Sequence, residues 1–195
     1  MNRRHLLLSL VAAASAAACS GPYYVAADVS SFGQWPQAKI GASYAFERLP
    51  SQQESARQGE LENSARAALE KAGFKPAADL KSADIVVTLG SRISAQDRAP
   101  WDDPLWGRWY GGVGYWRYGG LWRNHPNLLD RRFDREVALL LRDRQSNEPL
   151  YEARASNDGA TMGDNSLMAA LFLAALSDFP QARPESHQVT VQATR

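Results

Sequence analysis

The 195-residue sequence has one cysteine, Cys19, and three histidines. A single thiol excludes an intramolecular disulfide and any zinc site built on several thiolates, so the core must hold the fold alone. Charge of one sign is lacking too. The 22 Lys and Arg residues nearly balance 21 Asp and Glu, for a formal net charge of +1. No global field draws such a chain to nucleic acid. There is no apolar run of the about 20 residues needed to span a bilayer. Phosphate-cradling loops and the Gly-x-Ser-x-Gly elbow of hydrolases are missing. Gly112-Val113-Gly114 lacks both the third glycine and the strand–helix setting of a dinucleotide site. No cofactor or metal is expected. What is present, 45% apolar and 22% charged residues, suits one globular domain.

The N-terminus carries the clearest signal. Met1-Asn2-Arg3-Arg4 is a short basic segment, and Leu6 to Ala18 is an apolar stretch of signal-peptide length. It ends in Ala16-Ala17-Ala18-Cys19, small residues before a cysteine. This resembles the lipobox of bacterial lipoproteins, with Ala16 standing where leucine is usual. The resemblance implies that residues 1–18 are removed, that Cys19 carries acyl chains on a thioether, and that residues 19–24 form a tether. Removing Arg3 and Arg4 takes the net charge from +1 to −1. The alternative is an ordinary secretory signal that leaves Cys19 a free thiol, a liability in an oxidising compartment. Arg3-Arg4 also faintly resembles a twin-arginine signal, although charge in the leader explains it more simply. Ser20, rather than Asp, follows the cysteine. By resemblance this implies the periplasmic face of the outer membrane. Two or more acyl chains hold a protein stably at a bilayer, whereas one does not.

Residues 25–195 read as a single domain. Tyr24 to Phe32 and Ser43 to Arg48 have strand character, the second with Tyr44 and Phe46 on one face. Ser51-Gln52-Gln53-Glu54 fits a capping box, which predicts a helix over about 52–72. Leu61, Ala65, Ala68, Leu69 and Ala72 form its apolar face, and Gly73 is its stop. Glu60, Glu62, Arg57 and Arg66 are its predicted wet side. Asp84 to Ile93 alternates as a strand. Arg131 to Arg144 alternates likewise, and Ser146 to Pro149 forms a turn into a strand over Leu150 to Ser156. Asp130, Asp134 and Glu136, with Arg131, Arg132 and Arg135, read as a solvated charged strand face. A helix over Asn165 to Ser177, capped by Asp164, is apolar almost all round and therefore buried. Val189 and Val191 suggest a last strand. The order predicts an α+β two-layer sandwich, an antiparallel or mixed sheet with two helices packed on one face.

Taken in order, the lipobox, Ser43-Tyr44-Ala45-Phe46, Ala67 to Phe74, Ala83 to Val87, the late hairpin and the closing Phe179-Pro180 resemble the bacterial lipoproteins of domain-of-unknown-function family 4136. Tyr151 stands where that family usually has tryptophan. The resemblance implies an envelope lipoprotein with an α+β domain. It implies no activity and no catalytic residue.

An insertion at about 98–125 stands apart. It holds five of the six tryptophans, Trp101, Trp106, Trp109, Trp116 and Trp122. Tyr110, Tyr115 and Tyr118 lie among them, interleaved with Arg108, Arg117 and several glycines. Aromatic faces stack on sugar rings, Trp and Tyr anchor at membrane interfaces, and aromatics with Arg make protein hot spots. The bland alternative is a flap of extra core. The partners expected are therefore the membrane through Cys19, with an envelope protein or glycan at the insertion. The leading reading is a non-enzymatic envelope lipoprotein with a binding or assembly role. The alternative is a periplasmic hydrolase acting on cell-wall glycan, with Asp102, Asp103 or His125 as acid–base group.

Overall fold

The computed structural model describes residues 23–97 and 131–193. Seven strands lie in that part: β1 (Tyr23–Gly33), β2 (Ser43–Phe46), β3 (Lys75–Pro76), β4 (Ile85–Asp97), β5 (Arg131–Asp143), β6 (Pro149–Gly159) and β7 (His187–Ala193). They form one sheet in the order β3-β2-β4-β5-β6-β1-β7. β2 runs parallel to β3 and β4, and the remaining neighbours are antiparallel. Two helices, α1 (Ala56–Lys71) and α2 (Asn165–Ala175), contact each other and pack on one face. The expected α+β sandwich with a mixed sheet is the observed architecture.

Alternation builds the core. Val25, Ala27 and Val29 of β1 face the helices, as do Ile85, Val87 and Leu89 of β4. Val137, Leu139 and Leu141 of β5 and Tyr151, Ala153 and Ala155 of β6 complete that face, all buried. α2 is the central filler, with Leu167, Leu171 and Phe172 almost fully buried. Asp164 caps it, accepting a 2.9 Å hydrogen bond from the Leu167 N–H. α1 ends as expected at Gly73, whose φ of +96° is the left-handed conformation of a helix stop.

Several expectations need correction. α1 starts at Ala56, not near residue 52, because Pro50–Gln52 forms a 3-10 turn. The Leu49 N–H donates to Gln52 Oε1 at 2.9 Å, and the Arg48 guanidinium donates to the Gln53 carbonyl at 3.0 Å. These bonds hold residues 49–53 away from the helix, and Ser55 caps it by accepting from the Gln58 N–H. Tyr23, read as tether, already belongs to β1, which starts one residue before the expected Tyr24. Glu62 does not lie on the wet side of α1. It is 5% exposed and accepts both arms of Arg48, at 2.6 and 2.7 Å. Arg135 does not share the solvated strand face either, and is 5% exposed beneath the helices.

Candidate functional site

The strand registers bring several ends of the chain together. β4 and β5 pair as far as Asp97 opposite Arg131. The connection through residues 98–130 therefore leaves and re-enters the sheet on adjacent strands. β6 finishes beside the start of β5, with Gly159 opposite Phe133. β1 is antiparallel to β6, and its first residue, Tyr23, pairs with Ala193 of β7. The start of β1, both ends of the aromatic connection and the N-terminus of α2 thus share one end of the sheet. The candidate binding residues Trp101, Trp106, Arg108, Trp109, Tyr110, Tyr115, Trp116, Arg117, Tyr118 and Trp122 lie outside the described residues. So do Cys19, Asp102, Asp103 and His125.

Arg135 is the buried charge of this end. β1 leaves the β6 ladder beyond Asp28, and the Asn157 amide donates to the Ala26 carbonyl at 2.6 Å across the gap. Arg135 fills the space below. It donates to the Thr161 carbonyl at 3.0 Å and to the Asn157 side-chain oxygen. No described carboxylate closes an ion pair on it. Burial lowers its pKa from the ordinary arginine value, with Tyr23 and Asp158 opposing. Its partners among the described residues are neutral oxygens, and through the Thr161 carbonyl it fastens the α2 entry loop to the sheet.

A cleft of about 220 Å³ opens at the other edge, where β3 stops at Pro76 and leaves part of β2 uncovered. Tyr44, Phe46, Glu62, Arg66 and Leu80 are among its walls. Arg66 lies over the Phe46 ring at 5.3 Å, a cation–π contact. The buried Tyr44 hydroxyl closes no hydrogen bond, and burial pushes its pKa up. The cleft is smaller than the about 300–1,000 Å³ typical of ligand pockets. Its charged groups are already engaged: Glu62 by Arg48, Asp79 by the Ser82 N–H, and Arg66 with the Phe46 ring.

One histidine pairing was not legible in the sequence. His187 Nε2 lies 3.2 Å from Asp178 Oδ2, close enough for an ion pair but without hydrogen-bond geometry, and its Nδ1 is 3.2 Å from the Glu185 carbonyl. The fully buried Ser31 accepts from the Arg183 N–H at 2.8 Å, so its hydroxyl is held within the packing. The group joins β7 and its preceding loop to β1 and has the character of a clip rather than of a nucleophile–base pair. Among the described residues, no three His, Cys, Asp or Glu side chains are placed to hold a metal. No helix among them is long and apolar enough to cross a membrane.

The family model described as a domain of unknown function, DUF4136, matches residues 28–181. No curated protein matches the sequence. Among solved structures, the PelC dodecamer from Paraburkholderia phytofirmans is similar at 16% identity and a TM-score of 0.47, over 80% of this chain and 99% of that one. A DUF4136 family protein from Bacteroides thetaiotaomicron is 15% identical, with a TM-score of 0.38, over 78% of this chain and 95% of that one. A PDZ domain protein from Parabacteroides distasonis is 9% identical, with a TM-score of 0.49, over 95% of this chain and 42% of that one.

Proposed function

The chain belongs to the DUF4136 family, and from that premise we propose that it is a lipid-anchored protein of the bacterial cell envelope with a non-enzymatic binding or assembly role. The observation that carries the reading is the leader: two arginines, an apolar stretch too short to span a bilayer, then Ala16-Ala17-Ala18-Cys19. Acylation at Cys19 turns a lone thiol into a stable membrane anchor, and Ser20 favours the periplasmic face of the outer membrane. The first strand begins at Tyr23, four residues after that cysteine, so the anchor holds the domain closely.

The binding role draws on residues 101–122. Their Trp, Tyr and Arg content is that of a recognition surface, and an envelope protein or a cell-wall glycan fits its chemistry. The non-enzymatic reading rests on a sequence without a nucleophile elbow, phosphate loop or clustered metal ligands. The experiment is a Cys19→Ser variant expressed in the native host. The variant is expected to leave the membrane fraction and become soluble in the periplasm, with an unchanged circular dichroism spectrum. A variant that stays with the membrane contradicts the anchor.

A further inference from the structure

The tether and the sheet together fix an orientation. Three residues lie between Cys19 and Tyr23, and a fully extended chain covers at most about 14 Å over those four steps. The start of β1 must therefore stay close to any bilayer that holds the acyl chains. β5, at 13 residues, extends about 40 Å from this end of the sheet to the other. The two ends consequently meet different surroundings.

The near end is dressed for an interface. Tyr23 is 43% exposed and Tyr24 58% exposed, on opposite faces of β1. Met162, in the loop that Arg135 fastens to the sheet, is 60% exposed. Arg132, paired with Asp158, lies two strands from β1, which is about 10 Å at ordinary strand spacing. Tyrosine has an apolar ring and a polar tip, and arginine lays its methylenes on apolar matter while its head stays wet. That combination is favoured where headgroups meet acyl chains. The far end also exposes Phe32, Ile40 and Leu80, but the last two lie among Lys39, Asp79, Lys81 and Asp84, and all three are a strand's length beyond the tether.

We propose that the end of the sheet carrying Tyr23, Tyr24 and Met162 rests on the phospholipid surface, with the Ile40 and Leu80 end turned away from it. The proposal depends on the anchor at Cys19 and adds which surface of the domain meets lipid.

The test uses the full lipidated protein reconstituted into vesicles of phosphatidylethanolamine and phosphatidylglycerol. Met162→Cys, Tyr24→Cys and Leu80→Cys variants each carry a bimane label, and acylated Cys19 leaves the introduced thiol as the reactive one. Nitroxide-bearing phospholipids at headgroup depth are then added. Emission from positions 162 and 24 should be lost while emission from position 80 is retained. Protein that co-floats with the vesicles yet shows equal emission at all three positions, or loss confined to position 80, overturns the orientation alone. Protein that fails to co-float overturns the anchor and the orientation with it.

Discussion

Gly33 closes β1 with a φ of +109° and pairs with Tyr151 across the ladder. A Cβ at this position would run into the Leu150 carbonyl oxygen, which is backbone and cannot swing aside. Gly33→Ala is expected to cost about 3 kcal/mol, the upper end for a strained backbone position, as read by urea denaturation. A loss under about 0.5 kcal/mol would show that the β1–β6 register has been misjudged. Three carboxylates give a second residue-scale test. Asp143 lies well below the usual carboxylate range because Lys39 and the Ser146 N–H bind its charged form. Asp84 is lowered by the Ser43 hydroxyl and N–H, and Asp164 by the Leu167 N–H. Their folded pKa values lie below the unfolded ones, so between the two the unfolded chain binds more protons. Their stabilisation is complete above about pH 5 and is lost as pH falls below 4. Denaturation midpoints should agree at pH 7 and 5 and drop at pH 3; a flat profile would contradict these pairings. Glu62 and Arg135 show where residue-level reading stops. Each sits in a run of charges that reads as solvated, and each is buried with a partner distant in sequence, although two-residue alternation with Val137 already puts Arg135 on the helix-facing side.

The elements were largely legible because their signals are local. Alternation marked β4, β5 and β6, and Asp164 marked the start of α2. The start of α1 was misplaced because Ser51 and Ser55 are equivalent as caps, and the choice between them lies with Arg48 on another element. β3, two residues long, has no pattern to read. The β4–β5 hairpin makes a further prediction. Its strands pair up to Asp97 and Arg131, so its closure rests on the ladder. Replacing residues 101–122 with a short Gly/Ser linker should leave the melting temperature within a few degrees, since loop length contributes weakly to stability. Recovery of envelope partners by crosslinking should be lost. A large fall in melting temperature would mean that the segment is core rather than a binding element.

At the scale of the whole molecule, the proposed address rests on nineteen residues of sequence, whereas the arrangement of the strand ends has no such local signal. Alternation sets which side chains face the helices, but strand order decides which chain ends are neighbours. The order β4-β5-β6-β1 brings Asp97, Arg131, Gly159 and Tyr23 to one end, and no sequence pattern encodes that convergence. The fold therefore brings the start of β1 and the two strand ends that flank residues 98–130 to one end of the domain. The proposed membrane anchoring depends on the chemistry at Cys19. Its most direct measurement is mass spectrometry of the N-terminal peptide of the processed protein. The account predicts a chain that begins at Cys19 and carries a diacylglyceryl thioether; an unmodified thiol at Cys19 would contradict it.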